Sequence, residues 1–194
     1  MTKPSQIIIK DNKLTLPGLA TAHSHAFQRA LRGRTQRRAT SADSFWSWRG
    51  LMYKLAAQLD PDDIFQISRF AYIELALSGV TAVGEFHYLH HQPDGTPYPN
   101  PTELAEAVIQ AAQEAGIRLS LIRTAYQRGG FEQPVSAAQK RFVDEQIDNV
   151  IADVETLRQK FADNPLIQIT TAAHSIRAVP LTSITALNNY TKKE

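Results

Sequence analysis

Short runs of aliphatic and β-branched residues alternate along this chain with long amphipathic stretches, and that alternation restricts its fold more than any other feature. "LATA" (19–22), "VTAVGEF" (80–86), "IRLSLIRTAY" (117–126) and "PLIQITTAAH" (165–174) each read as a buried strand. Between them lie helical patterns. Over 60–78, Ile64, Ile67, Ala71 and Leu75 recur at spacings of three and four, with Asp60 placed as N-cap, Pro61 at the first helical position and Gly79 as terminator. A second helix is predicted over 102–115 and a third, longer one over 136–162, where Val143, Ile147, Val150, Val154, Leu157 and Phe161 form one stripe. A last helical pattern opens at Pro180. Strand–helix alternation of this kind predicts a parallel sheet joined by crossovers. A doubly wound sheet and a (β/α)8 barrel both satisfy the pattern. No glycine-rich phosphate-binding motif follows any strand, which weighs against a nucleotide-binding version of the former.

Other stretches punctuate this order. "IIIKDNKLTL" (7–16) reads as a hairpin turning at Asp11-Asn12-Lys13, and "HHQPDGTPYPNP" (90–101) is too rich in proline for regular structure. The 194 residues, 43% of them hydrophobic, suffice for a domain with a sizeable core. A net charge of +2 does not describe a polyanion binder, and the lack of cysteine rules out disulfides and thiolate metal sites within the chain. No apolar run approaches the ~18 residues of a membrane span, and the N-terminal one is too short for a signal peptide. The expectation is a cytoplasmic protein that binds neither membrane nor nucleic acid.

Functional groups in parallel α/β folds gather where strands end. Here the strand ends carry His23 and His25, then Phe86-His87-Tyr88, then Tyr126, then His174-Ser175-Ile176-Arg177. Residues two apart on a strand share a face, so His23 and His25 can converge on one metal ion, or simply bond each other. Arg49 sits in "WSWRG", where Trp46 and Trp48 read as core or cap residues on which its guanidinium can stack. His87, His90 and His91 form a histidine-rich tract that could make a separate metal site, but His90 and His91 read rather as lining or lying on a loop. Arg29, Arg32, Arg34, Arg37 and Arg38 have no acidic neighbour in the sequence, and the segment reads as a solvated loop near the site mouth.

"LPGLATAHSHAFQRAL" resembles the first-strand signature of the metal-dependent amidohydrolase superfamily. "SFWSWRGLMY", "GVTAVGEFHYLHH", "GGFEQPVSAAQKRF" and "HSIRAV" extend the likeness, in family order, across residues 16–181. Within that superfamily they are most similar to deiminases that act on a formimino dicarboxylate in histidine degradation. The resemblance implies an incomplete (β/α)8 TIM-type barrel of about four β/α units over 18–194, with residues 1–17 as a β remnant of a further domain. It implies that His23 and His25 are metal ligands for one divalent ion, zinc or else iron. Gln28 and His174 would contact the formimino group, and Arg49, Tyr88 and Arg177 the carboxylates. Forked guanidinium donors suit carboxylates, and a phenol adds one donor more. The remaining metal ligands and the proton-transfer residues of the family belong to later strands, so no catalytic residue is assignable here. The sequence therefore reads as a truncated portion of such an enzyme, inactive alone, with a free strand edge through which copies could pair. The alternatives are a deaminase of a heterocycle and a non-catalytic fragment.

Overall fold

The computed structural model describes residues 7–35 and 44–192. β1 (Ile8–Lys10) and β2 (Lys13–Thr15) pair antiparallel. Asp11 and Asn12 turn between them with φ of 51° and 57°, the two-residue left-handed turn that matches strand twist. The remaining strands, β3 (Leu19–Ser24), β4 (Val80–His87), β5 (Arg118–Ala125) and β6 (Ile167–Ala173), form one sheet in the order β3-β4-β5-β6. Every pairing in it is parallel. Among the described residues β6 is hydrogen-bonded only to β5. The helices are α1 (Phe45–Ala56), α2 (Pro61–Leu77), α3 (Glu103–Ala115), α4 (Ile147–Lys160) and α5 (Leu181–Thr191). The expected parallel α/β order with four β/α units is thus present, and it is that of an incomplete TIM-type barrel.

Local chemistry accounts for most boundaries. Asp60 accepts the Asp63 N–H at 2.8 Å while Asp63 accepts the Asp60 N–H at 3.2 Å, so α2 starts where both orphan donors are satisfied. It ends at Ser78, with Gly79 in the left-handed region at φ 90°. α1 is a helix that the periodicity did not predict. A reciprocal Ser44/Ser47 capping box starts it, and Met52 and Ala56 are its only fully buried residues, too few for a clear apolar stripe.

The single long helix expected over 136–162 is two elements. A 3-10 helix spans Ala137–Phe142, Val143 is extended (φ −91°, ψ 125°), and α4 begins at Ile147. The break has a physical cause at Asp144, whose backbone N–H donates to the Tyr126 carbonyl at 2.8 Å and is lost to any helix. Its carboxylate is held by Arg123, which is only 2% exposed, at 2.6 and 3.2 Å. Arg123 also grips Asp153 of α4 at 2.7 and 3.0 Å, and its Nη1 lies 2.6 Å from His90 Nε2, which faces the Thr124 carbonyl at 3.0 Å. An ion cluster thus lies buried between β5 and α4, on the outer face of the sheet.

His87, His90 and His91 meet this cluster. His90 and His91 do sit in the loop after β4, but His90 is buried, and His91 is tied through Nε2 to the Val143 carbonyl. Burial, then the Arg123 charge, pushes the His87 imidazole down to about 3, and the same causes hold His90 well below its ordinary value. Both are neutral in the fold at pH 7. As pH falls below ~6.5 the unfolded chain takes up protons that the folded chain refuses. The stability they permit is intact above pH ~6.5 and is lost progressively as pH falls, for His87 down to about 3, at up to ~1.4 kcal/mol per pH unit for each imidazole. A lower urea midpoint at pH 5 than at pH 7 is the expected measurement, with a flatter dependence in His87→Gln. An unchanged midpoint would contradict it.

The inner face of the sheet carries Ala82, Gly84 and Phe86 from β4, beside Ala20 of β3. Thr21 pairs with Val83 and Ser24 with Glu85, so three steps on β3 match two on β4. This bulge resets the strand's parity. Thr21 and Ser24 both turn outward, whereas Ala20, His23 and His25 all turn inward. Gly84 makes room for it, because a Cβ there would stand 2.8 Å from the Ala22 carbonyl oxygen. Gly84→Ala must therefore move β3 backbone, at an expected ~1–3 kcal/mol. Chemical denaturation checks this, and a shift below ~0.5 kcal/mol would count against it.

Among the described residues no helix is long and apolar enough to cross a membrane.

Candidate active site

The inward turn after the bulge brings the two histidines together. His23 Nε2 and His25 Nε2 are 3.0 Å apart, and the rings meet edge to face with centroids at 4.5 Å. His25 Nδ1 lies 3.0 Å from the Phe86 carbonyl, which can only accept, so the proton belongs on Nδ1 and the Nε2 lone pair faces His23. Burial lowers the pKa of His25, opposed by the Phe86 carbonyl and reinforced by His23. Two nitrogens bound to one tetrahedral ion at ~2.1 Å would stand about 3.4 Å apart. The observed separation, a neutral ring and a fixed tautomer all suit a shared cation, and the carbonyl is the kind of outer partner that orients a ligating imidazole. Among the described residues no group of three or more His, Asp or Glu side chains is placed to complete the site.

Behind His25, Glu85 holds the turn in position. Its buried carboxyl accepts the Ala26 N–H at 2.8 Å, and burial raises its pKa. The 3-10 helix Ala26–Leu31 starts there and carries Gln28 inward, where its Nε2 donates to the Tyr88 hydroxyl at 2.7 Å. That bond leaves Gln28 Oε1 as an acceptor. Burial drives the Tyr88 phenol far above its ordinary pKa, so it stays a neutral donor. Arg29 and Arg32, expected in a solvated loop, instead pair with Glu74 of α2, Arg32 at 3.0 Å. Sequence proximity could not show a partner more than 40 positions away. Arg37 and Arg38 lie outside the described residues.

The other site candidates come from α1 and from the end of β6. Arg49 stacks over Trp46 with its guanidinium carbon 4.6 Å from the ring and lies 5.4 Å from the Tyr53 ring. Trp46 is a platform at the surface, 61% exposed, and not a core residue. His174 packs edge-on against Tyr126, centroids 4.8 Å apart. Burial, then the Arg177 charge, then His25 lower its pKa to about 4, so it is neutral at pH 7.

His23, His25, Gln28, Arg49, Tyr88, His174 and Arg177 all line one cavity of about 300 Å³, at the small end for ligand sites. The structure thus brings together every site residue singled out from the sequence. Phe45, Trp48, Met52, Tyr53, Phe86, Tyr126 and Phe142 complete the wall. Two polar residues, one behind the cavity and one in its wall, were not singled out from the sequence. Glu85 is a lone carboxylate in an apolar strand, a signal that "VTAVGEF" does display. Tyr53 faces inward from the helix that the periodicity missed. Chemically the cavity offers an imidazole pair whose geometry suits a cation, a neutral acceptor–donor group in Gln28 and His174, and guanidinium charge at its rim.

Residues 14–194 match the sequence profile of the Amidohydrolase family. The chain is 47% identical over 129 residues to a formimidoylglutamate deiminase from Pseudomonas aeruginosa, covering 66% of this chain and 28% of that one. A solved amidohydrolase from Brucella melitensis superposes with a TM-score of 0.80 at 39% identity, over 89% of this chain and 39% of its own. An atrazine chlorohydrolase from Arthrobacter aurescens, solved in complex with zinc, shares the fold with a TM-score of 0.71 at 20% identity, over 91% and 39% of the two chains. The chain therefore spans well under half the length of each of these relatives.

Proposed function

The chain belongs to the amidohydrolase family, and on that premise we propose that its cavity serves a deiminase converting N-formimidoyl-L-glutamate to N-formyl-L-glutamate and ammonia. The observation that carries this reading is the convergence of Arg49, Arg177, Gln28 and His174 on the cavity that also holds the imidazole pair. The 47% identity to a formimidoylglutamate deiminase supports the same substrate.

His23 and His25 would contribute to binding one divalent metal ion, probed first with zinc, which would supply Lewis acidity and water activation at neutral pH. The chain's own groups do the rest. Gln28 Oε1 accepts an N–H of the formimino group, since its amide nitrogen is engaged by Tyr88. His174, neutral at pH 7, exchanges a hydrogen bond with the same group without adding charge beside it. Arg49, held by Trp46, and Arg177 take the carboxylates, and Tyr88 adds a neutral donor. The aromatic wall excludes water and strengthens each of these contacts.

A second reading keeps the cavity and changes the ligand. Its ring-rich lining, with Trp48, Phe86, Tyr126 and Phe142, also suits a planar heterocycle. Ammonia release from N-formimidoyl-L-glutamate by the complete gene product containing this sequence, with metal added, tests the first reading directly. Arg49→Ala and Arg177→Ala are each expected to lower kcat/KM on that substrate about 10- to 100-fold, as loss of a charge-assisted carboxylate contact implies. No release at all, or no effect of either substitution, would transfer the assignment to the heterocycle.

A further inference from the structure

Tyr126 closes β5 and is only 3% exposed, yet it lines the cavity. Its hydroxyl oxygen accepts the Gln139 side-chain N–H at 2.7 Å. That amide is not free to flip, because Gln139 Oε1 accepts the Ser136 backbone N–H at 3.0 Å and the Ser136 hydroxyl at 2.8 Å. The same Nε2 also donates to the Gly129 carbonyl at 3.3 Å. With its oxygen engaged by a fixed donor, the Tyr126 phenol retains one proton to give. It can go to the neighbouring Tyr53 hydroxyl or to a ligand oxygen in the cavity. Tyr53 stays neutral, since burial together with Tyr126 pushes its pKa up to about 12.

The backbone beneath the ring is equally constrained. Tyr126 donates its N–H to Asp144 Oδ2 at 3.4 Å and accepts the Asp144 N–H at 2.8 Å, while Asp144 is clamped by Arg123. A buried ion cluster, a locked amide and an edge-on His174 ring thus fix one phenol whose proton lies between the Tyr53 hydroxyl and the open cavity. Core packing requires none of this, and a phenylalanine would fill the same space.

We propose that the Tyr126 hydroxyl is a further anchor for the substrate's carboxylates, beside Arg49, Arg177 and Tyr88, oriented by Gln139. This inference rests on the dicarboxylate reading. It distinguishes a contact residue, Tyr126, from a positioning residue, Gln139, which acts only through it. The phenol supplies a neutral donor that adds no charge next to His174, where a third cation would favour the carboxylates but further disfavour a protonated imidazole.

Calorimetric titration of the 194-residue chain with N-formyl-L-glutamate tests it. Tyr126→Phe is expected to weaken binding about tenfold, the loss of one hydrogen bond to a charged group. Gln139→Leu should weaken it several-fold alone and add nothing in the Tyr126→Phe background, whereas a purely structural role would give additive losses. Should Tyr126→Phe fail to fold, the tyrosine absorption of the unaltered chain decides, with a ligand-induced shift expected and its absence overturning the proposal. Unchanged binding by Tyr126→Phe, alongside weakened binding by Arg49→Ala, overturns the anchor and leaves the dicarboxylate reading in place. No binding by the unaltered chain overturns that reading, and the anchor with it.

Discussion

Arg123→Met is expected to lower the folding free energy by ~3–5 kcal/mol, a large share of the ~5–15 kcal/mol that holds a typical domain together. The side chain is 2% exposed and makes two bonds each to Asp144 and Asp153. Removing it strands two carboxylates, Asp144 with its side chain 1% exposed and Asp153 with its side chain 13% exposed. Burial already raises the pKa of Asp153 against the opposing pull of Arg123. Without the guanidinium that pKa rises further above its unfolded value, so the protonated, neutral form becomes the stable one. The deficit relative to the unaltered chain must therefore shrink as pH falls toward the carboxylate range. Asp144→Asn and Asp153→Asn, added to Arg123→Met, should restore part of the loss by removing the stranded charges. Urea denaturation of the series at pH 7 and pH 5 measures all of this. A loss under ~1 kcal/mol at pH 7 would show that the cluster is solvated and not a buried ion pair.

That cluster also marks the limit of what the sequence made legible. The strands were readable because each is a short aliphatic run bounded by turn residues, and α2 because Asp60, Pro61 and Gly79 bracket a clean apolar stripe. The stripe from Val143 to Phe161 has helical spacing too, yet the chain breaks at Asp144 because a guanidinium 21 positions away claims its carboxylate. Periodicity cannot register such a partner. α1 was missed for the opposite reason, since its large apolar residues Phe45, Trp46 and Leu51 are exposed and only Met52 and Ala56 are buried, which leaves no clear stripe. The candidate residues that share the cavity were legible as types at strand ends, His23, His25, Tyr88, His174 and Arg177 among them. Their orientation was only partly so. That His23 and His25 share a face follows from period two, but that this face is the inner one depends on the bulge, which the sequence shows only as a glycine at position 84.

His25→Ala in the complete gene product is expected to reduce ammonia release on the order of 10³-fold or more, since several kcal/mol of transition-state stabilisation depends on the metal being held. Bound metal, assayed after dialysis, should fall with it. Gln28→Leu provides the contrast. It removes an orienting contact and leaves both imidazoles, so metal content should persist while the rate falls less. His25 is singled out over His23 by its surroundings. It is half-buried, its Nδ1 proton is committed to the Phe86 carbonyl, and the turn behind it is fixed by Glu85 through Ala26, whereas His23 is exposed. Because Phe86 belongs to β4 and the bulge sets β3 against β4, the imidazole pair proposed to hold the metal and the strand pairing are mechanically one object. Gly84→Ala should then weaken metal retention as well as stability, although residue 84 carries no ligand atom. Full metal content and rate in His25→Ala would break this chain of dependence at its first link.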